Sequence, residues 1–404
     1  MPKRRKKIGL WLIGACGGVG SAVALGIAAF ARRAAPSTGL VTALPEFKDA
    51  GLVDPGGIAV GGHDIRNQTL WGAVNEAHHR ANLFDNALIA VCKAPLQSFQ
   101  RNVRPGTLLG CAPAVRALCD RSDMPNDATP ARAVERLSAD IAAFRQRHRL
   151  DQVVVVHVAS AEPAVAVKPW HRSIASLQKA LTRPRNALPA SCLYALAAVE
   201  AGCAYVNFTS CTAIGLPAIR ERADRLGLPY MGADGKTGET LVKSILAPMF
   251  AVRNLSVLSW VGQNILGNRD GAILDHPAVR ASKIRSKDKT VTRIVGPSTT
   301  TRVSIDYVPS LDDWKVAWDF IHFQGFLGTK MSMQFTWQGS DSVLAAPLVI
   351  DLTRLAAREL EAGRKGPMRH LAFFFKDPMD VDRLDLTHQW RMLLEHLHAR
   401  ERIG

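Results

Sequence analysis

The chain has 404 residues, 47% hydrophobic and 21% charged, the balance of a globular protein with a large core, and its length suggests roughly two or three domains of about 150 residues. Its 51 basic and 35 acidic residues give a net charge of +16. That favours anionic partners such as phosphorylated metabolites, but outside Lys3–Lys7 the excess is scattered, as on a solvated surface rather than a nucleic-acid footprint. Seven cysteines without a C-x-x-C pair read as buried thiols in a reducing compartment, so a cytoplasmic protein is expected.

The first element is ambiguous by composition. A basic tail, PKRRKK, precedes IGLWLIGACGGVGSAVALGIAAF, the outline of a signal peptide or membrane anchor. Gly14, Gly17, Gly18 and Gly20 lie in its middle, where an anchor would prefer Leu. A buried strand over 8–14, a turn and a helix explain the same letters. No other run is long and apolar enough to span a bilayer, and no membrane or nucleic-acid partner is expected. Strand, glycine turn and helix are the context of a dinucleotide fingerprint, in which glycines admit a pyrophosphate and the helix N-terminus supplies free N–H groups. The match runs through Gly14, Gly17 and Gly20, with Gly18, Val19 and Ser21 beside them; Cys16 takes a glycine's place. Glu46 and Asp49 are too distant to be the acid that usually follows, and a generic α/β turn would look similar.

Further along, Val134, Leu137, Ile141 and Phe144 repeat at helical spacing within 130–149. LDQVVVVHVASAEP reads as a β-branched strand. A helix is predicted over about 188–202, a strand at AYVNF, a helix over about 215–227 and a strand at LPYMGAD. Strands alternating with helices predict an α/β fold: a Rossmann-like, doubly wound parallel sheet. Ligands then lie beyond the carboxyl ends of the strands. The last of these ends, GADGKTGET, opens the helical run LVKSILAPMF. Thr237, Gly238, Glu239 and Thr240 would form a helix N-terminus with Lys236 alongside, either an anion cradle or an ordinary capped start.

After residue 250, LSVLSWVGQNILGN, TRVSIDYVP, WKVAWDFIHFQGFLG and KMSMQFTWQG follow as strands. With no helix read between them, an antiparallel sheet is expected. The run SDSVLAAPLVIDLTRLAARELEAG and residues 384–401 are then helical. The organisation is a basic tail (1–7), a nucleotide-binding domain (8–245), an inserted β-rich α+β domain (246–340) and C-terminal helices returning to the first domain (341–404). An apolar sheet face in the insert would suit packing on a second copy. Between its strands, Ser282-Lys283 and Ser286-Lys287 place two lysines one helical turn apart, on either a solvated face or an anion grip.

Taken in order, GADGKTGETLVKSIL, NILGNRDG, SKIRSK, DDWKVAWD and SDSVLAAPLVIDL resemble the inositol-3-phosphate synthase (myo-inositol-1-phosphate synthase) family in its shorter, prokaryotic form. The resemblance implies a homotetramer of inositol and phospholipid biosynthesis. It would convert D-glucose 6-phosphate into 1D-myo-inositol 3-phosphate with NAD consumed and regenerated in one cycle. The substrate is oxidised at carbon 5, loses a proton from carbon 6, closes by aldol addition and is reduced again. A divalent or monovalent cation is left open, with no metal ligand assigned.

The resemblance assigns catalytic roles to Lys283, Lys287, Lys315, Asp234, Asp270 and Asp313. It places substrate phosphate and hydroxyls on Thr237, Gly238, Glu239, Thr240, Asn264 and Asn268. Cofactor contacts fall to Gly14, Gly17, Gly18, Val19, Gly20, Ser21 and Asp341, more weakly to Ser160 and Glu162, and to Asp64 of GGHDI as the ribose acid. Clustered lysines suit this chemistry, because enolisation and aldol closure build charge on substrate oxygens and fixed cations in a dry site stabilise it. There are departures. Cys16 replaces a glycine, Arg269 stands where the family commonly has Asn, and Glu239 where it often has Gln. The C-terminal family lysine maps to Lys376 or His388. An alternative is an inactive or redirected NAD-binding homologue acting on another sugar phosphate. A rival from another class is a basic protein that binds a membrane surface or nucleic acid through its first residues.

Overall fold

A computed structural model describes residues 6–184, 188–274 and 291–399. The first unit opens with β1 (Ile8–Ile13), every residue buried, and α1 (Gly18–Ala31). Next come β2 (Ala59–Asp64), α2 (Leu70–Ala81), α3 (Asn86–Gln100), β3 (Val103–Pro105), α4 (Pro113–Arg116), α5 (Pro130–Arg147) and β4 (Gln152–His157). The unit continues through α6 (Ile174–Leu181), α7 (Ala190–Glu200), β5 (Ala204–Asn207), α8 (Pro217–Arg225), β6 (Pro229–Met231) and α9 (Glu239–Val252). Together with β11 (Gly366–Pro367), these strands form one parallel seven-stranded sheet in the order β11-β6-β5-β4-β1-β2-β3. Leaving β11 aside, this is the dinucleotide-fold order, with the crevice where the strand sequence reverses at β1 and β4.

The continuous apolar runs of β1 and β4 follow from helices covering both faces. One core layer packs α1 and α3 against Leu10, Leu12, Val154 and Val156. The other packs α5 and α7 against Trp11, Ile13, Val153 and Val155. Residues 50–128, in which no strand is read from the sequence, supply β2 and β3. Two glycines explain β2: a Cβ on Gly61 would lie 2.9 Å from the Trp11 ring, and one on Gly62 would lie 2.3 Å from the Leu12 carbonyl. Trp11 Nε1 donates to His63 Nδ1 at 3.0 Å, which pairs these two buried ring nitrogens.

The second unit differs from expectation in one respect. Its strands β7 (Ser256–Leu266), β8 (Thr300–Tyr307), β9 (Trp314–Gln324) and β10 (Lys330–Ser340) pair in the order β10-β9-β7-β8. β9 is antiparallel to β7 and β10, but β7 and β8 run parallel, so the sheet is mixed. Parallel pairing needs a crossover of a dozen or more residues. The stretch between β7 and β8 supplies it, with helix α10 (Arg269–Leu274) at its start and helical residues at 291–295 near its end. One sheet face packs Trp260, Ile321 and Phe323 on Phe250 of α9. The chain then returns through α11 (Asp341–Glu361), which lies against α1, β4 and β5, and ends in α12 (Leu386–His398). Among the described residues no helix is long and apolar enough to cross a membrane.

Candidate functional site

A cavity opens at the carboxyl ends of β1, β2 and β4, between the two units. Gly14, Gly17, Gly18, Val19, Ser21, Asp64 and Ser160 line one side; Asp234, Thr237, Asn268, Asp313, Asp341 and Lys376 line the other. Thus most of the nucleotide-turn residues and six of the charged or polar candidates from the second half of the chain meet in one place.

The glycine turn is built for close approach. Gly14 has φ +89°, and a Cβ there would lie 2.8 Å from the Ala159 backbone. A Cβ on Gly18 would meet Ser342 Oγ at 2.5 Å, so this glycine also lets α11 reach the turn. Gly17 caps α1 with no side-chain bond, which leaves the first-turn N–H groups available to an anion. Ser21 donates its hydroxyl to the Gly17 carbonyl at 2.8 Å. Cys16 does not obstruct the turn, because its side chain is fully buried in the core beneath it. Burial also pushes the Cys16 thiol up, away from reactivity.

Asp64 ends β2 and accepts from the N–H groups of Cys16 at 2.6 Å and Arg66 at 2.9 Å. Burial raises its pKa, and these backbone bonds oppose that rise. It therefore organises the turn as well as lining the cavity. Glu162 faces another, smaller cavity, where it accepts from Ser191 N–H at 3.0 Å.

On the opposite wall, Lys376 Nζ lies 3.0 Å from Asp234 Oδ1. The segment carrying Asp234 is held by backbone bonds to the segment carrying Lys376: Lys376 N–H donates to Asp234 O at 2.7 Å, and Ala233 N–H to Asp377 O at 2.8 Å. Of the two replacements for the family's C-terminal lysine, Lys376 lies in the cavity. His388 lies within α12, where its N–H is capped by Asp385. Asp341 opens α11, accepts from Thr237 Oγ1 at 3.1 Å and lies 3.5 Å from Lys315 Nζ. Asp313 accepts from Ser340 Oγ and, at 2.7 Å, from Ser342 Oγ. Burial raises the Asp313 pKa, opposed by those serine bonds. Asn268 Nδ2 lies 3.5 Å from Asp313, while Asn268 Oδ1 accepts from Gly271 N–H at 2.9 Å and starts α10. Asn264 sits earlier, fully buried within β7.

The Thr237–Thr240 loop meets expectation in part. Helix α9 begins at Glu239 with Gly238 as its cap, and a Cβ on Gly238 would lie 2.5 Å from Trp337 Nε1. Among the described residues, the buried Thr240 Oγ1 has no hydrogen-bond partner, a group suited to an added oxygen ligand. Two side chains differ from the sequence reading. Lys236 turns away from the loop and donates to Gln389 Oε1 at 2.6 Å, and burial lowers its pKa to about 7. Glu239 turns inward and pairs with Lys243 at 2.5 Å, so its carboxylate is compensated. The i,i+4 spacing of Glu239 and Lys243 was visible in the sequence. The third member, Asp319, lies 3.0 Å from Lys243 Nζ on a distant strand and was not foreseen.

Lys283 and Lys287 lie outside the described residues, as does the side chain of Asp270. Among the described residues, Glu359, His370 and His396 have metal-like spacing. However, Arg364 and Arg358 lie 3.3 Å and 3.6 Å from Glu359, so its charge is already met by guanidinium. The group lines a separate pocket and offers nothing to the main cavity.

Comparison with known proteins agrees with this geometry. The chain is 36% identical over 285 residues to inositol-3-phosphate synthase 1 of Bacteroides thetaiotaomicron, covering 67% of this chain and 66% of that protein. It is 29% identical over 316 residues to the Dictyostelium discoideum inositol-3-phosphate synthase, covering 76% and 60%. The chain thus spans just under two thirds of the length of these curated relatives. The fold matches the crystal structure of a Caenorhabditis elegans inositol-3-phosphate synthase with TM-score 0.85, at 24% identity over 98% of this chain and 86% of that one. A Thermotoga maritima myo-inositol-1-phosphate synthase-related protein matches with TM-score 0.74, at 22% identity over 96% and 98%. A family model for NAD-binding proteins, described as myo-inositol-1-phosphate synthase, matches residues 8–400, and the chain belongs to that family.

Proposed function

We propose that the chain converts D-glucose 6-phosphate into 1D-myo-inositol 3-phosphate, with NAD at the glycine turn. The observation that carries this reading is the shared cavity: Lys376–Asp234 and Asp341, itself beside Lys315, face the turn that suits a pyrophosphate. The residues fit the coenzyme, since Gly14 and Gly18 leave space that a Cβ would fill and the first turn of α1 is uncapped by side chains. Bound NAD would supply reversible hydride chemistry, first accepting from carbon 5 and finally returning to it.

In this reading the Lys376 ammonium, aimed by Asp234, stabilises charge on the carbon 5 oxygen. Lys315, aimed by Asp341, does so for a second substrate oxygen. Preformed cations in a water-poor site act most strongly where charge develops. The N-terminus of α9 and the Thr240 hydroxyl receive the phosphate. Lys283, Lys287 and Asp270 complete the set by resemblance alone. The units run as 8–245, 246–340 and 341–404 with a basic tail, as read from the sequence.

The second unit also favours a homo-oligomer, a tetramer by resemblance. Trp314, Trp318 and Met331 are exposed on the four-stranded sheet, and eleven-residue β10 is a long open edge of the kind partners cover. Seven cysteines with no disulfide between them fit a cytoplasmic location.

The test is purified protein with glucose 6-phosphate and catalytic NAD, with products followed by phosphorus NMR and absorbance at the NADH band. Inositol phosphate without net NADH supports the proposal. Steady NADH accumulation indicates a simple dehydrogenase instead.

A further inference from the structure

The glycine turn and the second unit are joined across the mouth of the cavity through one carboxylate. Glu76 lies on α2, in the first unit. Its Oε1 is 2.7 Å from Arg269 Nη2, in the turn that follows β7. Its Oε2 is 3.4 Å from Arg66 Nη2, while Arg66 Nη1 donates to the Cys16 carbonyl in the glycine turn at 3.0 Å. One helical turn later, Arg80 Nε donates to Asp312 Oδ1 at 2.7 Å, and Trp314 Nε1 donates to the Ala81 carbonyl at 3.1 Å. Asp312 and Trp314 stand at the start of β9, in the second unit. Glu76, Arg80, Ala81, Arg269 and Asp312 all line the cavity. The last turns of α2 are therefore fastened to one end of the second sheet, where β7 ends and its neighbour β9 begins, beside the glycine turn.

We propose that Glu76 is a positioning residue that holds the two units together over the coenzyme and so retains it through the reaction cycle. This rests on the function proposed above. In that chemistry the same coenzyme is oxidant at the first step and reductant at the last, so its loss in between would strand an oxidised intermediate. The links are of the right strength for a fastening that opens. Side-chain exposure is 29% at Glu76, 44% at Arg269 and 51% at Arg80. Ion pairs this exposed are individually weak and weaken further with salt. Arg269 stands where the resemblance places Asn, so this part of the fastening is a property of this chain's own residues.

The experiment is stopped-flow release of NADH from the full chain, for wild type, Glu76→Gln and Arg269→Asn, with thermal melting alongside. Losing pairs worth up to a few-fold each, Glu76→Gln releases NADH about five to ten times faster and Arg269→Asn about three times faster. Both melt within a few degrees of wild type. Raising salt speeds release from wild type more than from Glu76→Gln. The inference is overturned if both variants release NADH at the wild-type rate, or if salt acts equally on all three proteins. A wild type that binds NADH with unchanged variants sinks only this inference; a wild type that binds no NADH sinks it together with the coenzyme site.

Discussion

Lys243 and Lys376 are both buried and both paired with carboxylates, in two parts of the same half of the molecule. Lys243 Nζ lies 2.5 Å from Glu239 and 3.0 Å from Asp319, while Lys376 Nζ lies 3.0 Å from Asp234. What differs is the space beside them. A Cβ on Gly262 of β7 would meet all three members of the Lys243 group at 3.0–3.1 Å, so that group is sealed beneath the sheet. Lys376 faces the cavity across from the glycine turn. Burial lowers the Lys243 pKa, but Glu239 and Asp319 outweigh it and keep the amine charged. The same kind of bond is a structural fastening in one region and an accessible charge in the other. Loss of the first should register in stability, and loss of the second in turnover.

Four substitutions break or sharpen this contrast. Lys243→Met strands two buried carboxylates, and breaking a buried pair costs about 3–5 kcal/mol; urea unfolding should show a loss of that size. Lys376→Met should lower turnover by about 10²- to 10³-fold, with a smaller loss of stability than Lys243→Met and with NAD binding retained. An equal loss of stability from both would erase the distinction between sealed and open pairs.

Lys236 gives the third test, since its partner is an amide and not an acid. Its folded pKa is lowered to about 7 by burial, whereas an unfolded lysine titrates near 10.4. Between those values the unfolded chain binds the extra proton. Stability should therefore rise with pH across that window, by up to about 1.4 kcal/mol per pH unit, and level off below it. Lys236→Met should remove this slope in melts run at several pH values. The smallest effect belongs to Glu239→Gln, which leaves Lys243 paired with Asp319. A stability change within about 1 kcal/mol and retained activity are expected; a loss comparable to Lys243→Met would show that Glu239, not Asp319, is the main partner.

Much of the first unit was legible because its signals are local. The fully apolar β1, the glycine turn and the Val134, Leu137, Ile141 and Phe144 stripe each declare themselves within a few residues. β2 was not legible, because Gly61 and Gly62 carry no apolar side chain and owe their place to the Trp11 ring. The parallel pairing of β7 with β8 was missed for a different reason: strand order is set by a crossover, and α10 is too short to announce one. At the site, motif order pointed to Asp234, Asp313 and Asp341 and left Lys376 or His388 open for the C-terminal lysine; the fold brings the three acids and Lys376 to one cavity. Side-chain direction was hidden. Lys236 and Glu239 sit in the expected loop yet point to Gln389 and Lys243. The Arg269–Glu76 pair joins residues 193 positions apart, beyond any local pattern.

The central claim is that one cavity holds coenzyme and phosphosugar together through oxidation, closure and reduction. Glucose 6-phosphate carrying deuterium at carbon 5, turned over with an excess of unlabelled NAD, tests it directly. The inositol phosphate formed should keep the deuterium, because the hydride removed is returned before the coenzyme leaves. Product that has lost the label to the NAD pool would contradict the account.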